Sequence, residues 1–137
     1  MEIHKILLAE DEADIRKVAQ ISLQFRGGWE VLLATDGEDC LAKAAQDPPD
    51  LILLDCMMPK LDGYETCRRL KRDPALRQIP VIFLTARAQE AEVRKGLSLG
   101  AVGYLIKPFN PMSLAAEIRQ ILESGEATSS QGDSAQS

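Results

Sequence analysis

The sequence predicts an α/β fold: a doubly wound sheet of five parallel strands, in the order 2-1-3-4-5, with helices on both faces. Strand-like and helix-like patterns alternate from residue 3 to residue 122, which is typical of βα units. The segment Leu51-Ile52-Leu53-Leu54 is apolar at every position, as expected for a central parallel strand buried on both faces. Charged side chains follow three of the strands, where open α/β sheets place their functional sites.

The first predicted strand is Ile3 to Ala9, and a helix follows from about Glu12 to Arg26. Gly27-Gly28 ends this helix, and Trp29 to Ala34 forms the second strand. Residues at helical spacing form one stripe along this helix: Ile15, Val18, Ser22 and Phe25.

The segment Thr35-Asp36-Gly37-Glu38 is typical of a capping box, which opens a second helix to about Gln46. Pro48-Pro49 closes it before the third strand, Asp50 to Leu54. Asp62-Gly63 starts the third helix. Basic residues cluster on and after it, and we interpret them as a solvated face, with a docking surface as the alternative: Arg68, Arg69, Lys71, Arg72 and Arg77.

Pro80 to Leu84 is the fourth predicted strand, followed by a helix from about Gln89 to Leu99. Gly103 to Ile106 is the fifth strand. Asn110-Pro111 supplies an N-cap and a proline at the first helical position. The last helix has an apolar side that we expect to cover one face of the sheet: Leu114, Ala115, Ile118, Ile121 and Leu122.

These elements place one domain at residues 1–122. Residues 123–137 contain no large apolar side chain, so we expect a disordered polar tail or the start of a linker. The three cysteines lack metal-ligand or disulfide spacing, which indicates free thiols and a cytoplasmic location. We expect no membrane segment. The net charge of −5 disfavours nucleic-acid binding by this domain.

Three predicted strands end in side chains that suit phosphoryl chemistry. Glu10 and Asp11 follow the first strand, Asp55 the third and Lys107 the fifth. Clustered carboxylates repel one another unless a pKa rises or a cation binds, and an all-oxygen site suits Mg²⁺. A carboxylate can attack phosphorus to form an acyl phosphate, and the Thr85 hydroxyl is placed to donate to a phosphoryl oxygen. For Asp55 alone, the alternative is an ordinary turn or cap residue.

The strand-end motifs agree in order and spacing with a known family. They resemble the receiver domain of bacterial two-component response regulators, with its flavodoxin-like fold, over residues 3 to about 122. The motifs that carry the resemblance are Ala9-Glu10-Asp11-Glu12, Asp55-Cys56-Met57-Met58-Pro59-Lys60-Leu61-Asp62-Gly63, Thr85-Ala86, and Gly100-Ala101 with Tyr104-Leu105-Ile106-Lys107-Pro108-Phe109.

The resemblance implies Asp55 as the phosphoacceptor. It implies a Mg²⁺ site formed by Glu10, Asp11, Asp55 and the backbone carbonyl of Met57. The phosphate-binding and switch group would be Thr85, Ala86, Lys107 and Tyr104, and the Lys107-Pro108 bond would be cis. A core aromatic is the alternative for Tyr104.

Two positions that tune phosphate lifetime in the family differ here. Met57 is apolar where polar residues are common, and Arg87 is long and cationic; ordinary loop packing is the alternative for Met57. Glu10 also replaces the more frequent Asp at the first acidic position.

The function implied is a signalling switch. A histidine kinase or phosphotransfer protein would phosphorylate Asp55, and the surface of the fourth helix, fifth strand and fifth helix would then bind a downstream protein or form a homodimer. Partner specificity is expected in the first helix. Such a domain is not a turnover enzyme on external substrates.

Three alternatives stay open. The chain can be a receiver excised from a larger multidomain regulator or hybrid kinase. A haloacid dehalogenase-type phosphatase also uses a strand-end Asp with Mg²⁺, but it needs a second Asp where this chain has Met57. A degenerate receiver that only docks is disfavoured, because Asp11, Asp55, Thr85 and Lys107 are all present.

Overall fold

The computed structural model describes residues 2–86 and 89–124, so that Arg87 and residues 125–137 of the predicted tail lie outside the described residues. Five strands and five helices alternate within the described part. The strands are β1 (Lys5–Ala9), β2 (Glu30–Ala34), β3 (Leu51–Asp55), β4 (Val81–Thr85) and β5 (Gly103–Ile106). The helices are α1 (Ala13–Phe25), α2 (Gly37–Gln46), α3 (Gly63–Arg72), α4 (Glu90–Ser98) and α5 (Leu114–Ser124).

All strand pairs are parallel, and the sheet order is β2-β1-β3-β4-β5. The predicted fold class and strand order are therefore confirmed. Every residue of β3 and of β4 is buried, because helices cover both faces of the sheet. β3 is the central strand that its continuous apolar run predicts.

Two apolar clusters pack on opposite faces of the sheet. Each cluster contains alternate residues of the same strands, since successive side chains of a strand point to opposite faces of the sheet. The cluster beneath α2 and α3 contains Leu7, Ile52, Leu54, Val81 and Phe83. The cluster beneath α1 and α5 contains Ile6, Leu8, Leu53, Ile82 and Leu84.

The topology brings distant loops to one edge of the sheet. β1 and β3 are neighbours, with Ala9 opposite Leu54, yet the chain leaves β1 for the face covered by α1 and leaves β3 for the face covered by α3. A crevice opens where successive connections diverge in this way. The residues that follow β1, β3, β4 and β5 therefore border the same crevice.

Most of the stripe predicted on α1 lies outside the core. Among its four residues only Ser22 is buried, whereas Phe25 is 82% exposed and Val18 is 44% exposed. The side that contacts the sheet consists of Ala19, Ser22 and Leu23. Apolar residues occupy more than one side of this helix, and periodicity alone does not tell which side is buried. We call the half-buried Ile15 and the exposed Val18, Ile21 and Phe25 together the α1 apolar face.

Two predicted helix starts are also shifted. The N-cap of α2 is Asp36, which accepts a 2.8 Å hydrogen bond from the Asp39 amide, so the expected capping box does not form in that register. Asn110 Oδ1 accepts from the Met112 amide at 2.9 Å, but a turn intervenes and α5 begins only at Leu114. The predicted start of α3 is confirmed, with Asp62 as its N-cap.

The remaining sequence predictions concern cysteines, charge and membranes. All three cysteines are free, as predicted, and all three are buried. In the basic cluster of α3, Arg68 and Arg69 form ion pairs with Glu65. Among the described residues, none of the helices is both apolar enough and long enough to cross a bilayer.

Candidate functional site

Three carboxylates meet at the crevice between β1 and β3. Oxygen atoms of Glu10, Asp11 and Asp55 lie within 4.8 Å of one another. Glu10 and Asp55 are buried, while Asp11 is exposed at the mouth of the crevice. The structure thus brings together the three acidic side chains that the sequence assigns to one site.

Lys107 is the positive charge of this cluster. Its Nζ lies 3.2 Å from Glu10 Oε1 and 3.2 Å from Asp55 Oδ2. Burial acts to lower the pKa of Lys107, but the attraction of Asp55 and Glu10 outweighs burial, so the net pKa is raised. The ammonium is therefore charged at neutral pH and bridges the ends of three strands.

The surroundings of Glu10 raise the pKa of its carboxyl group. Burial raises its pKa from 4.5 to about 7, and the nearby Asp55 charge adds to that rise. A hydrogen bond from the Glu12 amide, 3.1 Å from Glu10 Oε2, and the Lys107 charge act in the opposite direction. A divalent cation at this position would favour the ionised form of Glu10.

The loop after Asp55 turns sharply around the carboxylate. The Met57 amide donates to Asp55 Oδ1 at 3.2 Å, and the Gly63 amide donates to the Cys56 carbonyl at 3.0 Å. A Cβ on Gly63 would lie 2.2 Å from the Asp55 carbonyl oxygen. Only glycine allows the start of α3 to approach β3 this closely.

Thr85 and Tyr104 line the same small cavity between α4, β4 and β5. The cavity has a volume of about 10 Å³, which is about the room for one water molecule. Thr85 is buried at the end of β4, and the Tyr104 side chain is half-buried. The two predicted switch residues are therefore neighbours of one cavity, together with Cys56 and Tyr64.

Other predicted site residues lie around the rim. The Met57 side chain is 76% exposed, so it does not fill a gap in the loop. Ala86 is exposed directly after β4. The Lys107–Pro108 peptide bond is cis, in agreement with the resemblance. Arg87 lies outside the described residues.

Sequence reasoning missed Arg16 as a neighbour of the site. Its guanidinium donates to the Glu10 carbonyl at 2.8 Å and to the Asp11 carbonyl at 3.3 Å. Arg16 lies on the first turn of α1, and the available signal was a basic residue four positions after the acidic run Glu10-Asp11-Glu12. Sequence reasoning also missed the 2.8 Å hydrogen bond from Tyr64 to Glu92, since the sequence does not reveal that α3 and α4 approach each other.

The donor set fits a hard divalent cation. It is composed of carboxylate oxygens, two of which belong to buried residues, and Mg²⁺ is held in proteins by one or two such carboxylates with the remaining positions left to water or phosphate. Exposed acidic Asp11 leaves one side open to solvent. The buried Asp55 side chain lies 3.2 Å from the Lys107 ammonium, so this acidic group already has a counter-charge beside it.

Comparisons with known proteins agree with this geometry. The profile of the family described as "Response regulator receiver domain" matches residues 6–119. The alkaline phosphatase synthesis transcriptional regulatory protein PhoP of Bacillus subtilis is 43% identical over 122 residues, which are 89% of this chain and 50% of PhoP. The transcriptional regulatory protein AfsQ1 of Streptomyces coelicolor is 44% identical over 90% of this chain and 53% of its own.

Solved structures give the same result. The chemotaxis response regulator CheY4 of Vibrio cholerae superposes with a TM-score of 0.81 at 32% identity, covering 88% of this chain and 99% of CheY4. The chain spans about half the length of the curated relatives it matches. The chain belongs to the family of response regulator receiver domains, the switch domains of two-component systems.

Proposed function

We propose that Asp55 stores a phosphoryl group received from a phosphohistidine of a histidine kinase or phosphotransfer protein. An Asp55 carboxylate oxygen attacks phosphorus and forms the new P–O bond of an acyl phosphate. The P–N bond to the imidazole breaks, and its electron pair stays on the histidine nitrogen. The observation that carries this proposal is the convergence of Asp55 with two further carboxylates and the Lys107 ammonium at one crevice.

Each side chain has a role that follows from its place. Glu10, Asp11 and Asp55, with the backbone carbonyl of Met57, would hold Mg²⁺. A bound Mg²⁺ supplies positive charge that offsets the negative charge of the transferring phosphoryl group. Lys107 lies 3.2 Å from Asp55 and moves from the carboxylate to the phosphoryl oxygens once the acyl phosphate has formed.

The signal leaves the site through β4 and β5. Thr85 is the last residue of β4 and Ala86 follows it. The Thr85 hydroxyl and the Ala86 amide donate to phosphoryl oxygens. Displacement of Thr85 toward the phosphoryl group frees volume in the cavity that it shares with Tyr104, and the Tyr104 ring turns inward. The altered surface of α4, β5 and α5 then binds a downstream protein or a second copy of the chain.

The α1 apolar face is suited to the phosphodonor protein. Phe25 is 82% and Ile21 45% exposed, and hollows of about 220 and 340 Å³ separate this face from Pro108, Phe109 and Pro111. Pro108 lines a hollow with Ile15 and Val18, and it directly follows Lys107, which contacts Asp55. The α1 apolar face therefore begins at the edge of the site. Contiguous exposed apolar side chains mark protein contacts, so a partner helix packs on this face and presents its phosphohistidine to Asp55.

The domain is proposed as a store for phosphate and not as a turnover phosphatase. A haloacid dehalogenase-type enzyme requires a second carboxylate two residues after the nucleophile, to act as acid and base. That position is Met57, and its exposed thioether can neither donate nor accept a proton. Regulation of transcription is stated in the names of the relatives PhoP and AfsQ1.

Phosphorylation by a small phosphodonor tests the proposal. Incubation with acetyl phosphate and Mg²⁺ is expected to add one phosphoryl group to the wild-type chain, measured by intact mass spectrometry, with release of acetate. The Asp55→Asn variant and a sample with excess EDTA are the controls. Equal labelling of Asp55→Asn, or no labelling of the wild type, contradicts the proposal.

A further inference from the structure

Arg16 holds the main chain of the acidic loop from the helix side. One terminal nitrogen, Nη1, donates to the Glu10 carbonyl at 2.8 Å and to the Asp11 carbonyl at 3.3 Å. The two acceptors are the backbone oxygens of the two residues whose carboxylates follow β1. A single guanidinium therefore restrains two consecutive peptide groups.

The opposite side of the loop is restrained by Glu10 itself. Its Oε2 accepts the Glu12 amide at 3.1 Å, and its own amide donates to the Ala34 carbonyl at 3.0 Å. Asp11 lies between these contacts and is exposed. The direction of the Asp11 carboxylate thus depends on the orientation of peptide groups that Arg16 bonds.

We propose that Arg16 is a positioning residue that orients the Glu10 and Asp11 backbone and thereby pre-forms the Mg²⁺ site. The inference rests on the proposed function, since it assumes that these carboxylates bind the metal. Outer-shell hydrogen bonds to ligand groups fix the geometry of a metal site, and their loss typically costs about 10- to 100-fold in affinity or activity.

Charge alone predicts the opposite effect. Removing a cation near three carboxylates makes the local potential more negative, so a purely electrostatic Arg16 would weaken Mg²⁺ binding and its removal would tighten it. Positioning predicts that removal weakens binding. The two readings can therefore be separated by the sign of the change in Mg²⁺ affinity.

Two Arg16 variants test the effect of this residue on Mg²⁺ affinity. Arg16→Met removes both hydrogen bonds and the charge, whereas Arg16→Lys keeps the charge and a donor nitrogen on a side chain one bond shorter. Positioning predicts that Mg²⁺ affinity falls in the order wild type, Lys, Met, with about a tenfold rise in Kd for Arg16→Met. Electrostatics alone predicts that the Met variant binds most tightly.

Lys17 provides the matched control. It is the next residue on α1 and is exposed, so Lys17→Met removes the same charge without touching the loop carbonyls. Its Kd for Mg²⁺ is expected to stay within about twofold of wild type, because exposed charges are largely screened by solvent and salt.

The experiment measures Mg²⁺ binding directly in the unphosphorylated chain, by amide chemical-shift titration, beside thermal unfolding in EDTA and labelling by acetyl phosphate. The expected result is a raised Kd in Arg16→Met, partial rescue in Arg16→Lys, and labelling that recovers at saturating Mg²⁺. A Met variant that binds Mg²⁺ as tightly as the Lys variant or more tightly overturns the inference. An unlabelled wild type overturns the proposed function instead.

Discussion

The Tyr64 hydroxyl donates a hydrogen bond of 2.8 Å to Glu92 Oε1 and so links α3 to α4. The Tyr64 ring contacts Phe83 of β4, with ring centroids 5.3 Å apart, and the Lys95 ammonium lies 4.3 Å from its centre. Burial raises the pKa of Tyr64, so the phenol stays protonated and remains a donor. The contact lies at the cavity shared with Thr85 and Tyr104, where the switch is proposed to act.

Tyr64→Phe is expected to loosen α4 without disturbing the aromatic packing. The variant keeps the ring contacts and loses one hydrogen bond to a carboxylate, worth roughly 1 to 3 kcal/mol. Its free energy of unfolding should fall by about 1 kcal/mol, because Glu92 is only half-buried and regains water. Denaturant unfolding measures the loss, and hydrogen exchange should show faster exchange of α4 amides than in wild type.

The control for this bond is Glu92→Gln, which keeps an acceptor oxygen for Tyr64. It should lose less stability than Tyr64→Phe and leave α4 exchange closer to wild type. Unchanged exchange of α4 in Tyr64→Phe would show that the bond does not restrain the helix.

Stability without metal should fall as pH rises from about 5 to about 8. The pKa of Glu10 is raised to about 7 in the folded chain against about 4.3 in an unfolded chain. Between these values the folded state binds more protons than the unfolded state, so raising the pH favours unfolding. Protonation of Glu10 makes its full contribution to the free energy of unfolding below about pH 4.3, the pKa of the unfolded chain. That contribution is lost above about pH 7, the pKa in the folded chain.

Glu10→Gln isolates this contribution, since the amide stays neutral at every pH. In EDTA the variant should melt at a higher temperature than wild type at pH 8, by a few degrees, which corresponds to about 1 kcal/mol. The difference should shrink toward pH 5, where Glu10 is protonated. A difference in melting temperature that is constant from pH 5 to pH 8 would exclude Glu10 as the titrating group.

Most of the architecture could be predicted from pattern alone. The five βα pairs and the central place of β3 follow from alternation and from the apolar run at Leu51 to Leu54, whereas the strand order is that of the flavodoxin-like fold that the resemblance implies. The buried side of α1 could not be predicted, because Phe25 and Leu23 are both apolar and only packing decides between them. Likewise, Asn110-Pro111 marks a turn before α5 and not its first residue.

The part of the site that is formed by residues at strand ends could be predicted from the sequence. Asp55, Glu10 and Lys107 follow strands whose ends must meet, so their convergence follows from topology. Arg16 and Glu92 could not be assigned in the same way. Each contacts the site or the cavity from a helix, and helix rotation and helix–helix distance depend on packing that no strand-end pattern encodes.

Phe25→Ser should impair phosphorylation by a protein donor but not by acetyl phosphate. Phe25 is 82% exposed, so its loss costs little stability, whereas a buried aromatic anchor in a protein interface commonly contributes 2 kcal/mol or more. With a histidine kinase that labels the wild-type chain, the rate at limiting concentration should fall by about tenfold. Gln24→Ser, a change at the neighbouring exposed residue, is the control. Equal loss with acetyl phosphate would point to misfolding instead.

Met57→Asn should shorten the lifetime of the acyl phosphate at Asp55. Hydrolysis needs a water molecule aligned with phosphorus, and an orienting hydrogen bond raises that rate. The thioether of Met57 has no donor and is a weak acceptor, while its 76% exposure leaves room for a polar side chain at the same place. An asparagine amide can both donate to water and accept from it, so dephosphorylation should accelerate several-fold. Loss of the phosphorylated mass with time, after removal of acetyl phosphate, measures the rate. Met57→Leu, which is apolar and of similar size, should decay like the wild type, and an unchanged rate in Met57→Asn would mean that water is oriented elsewhere.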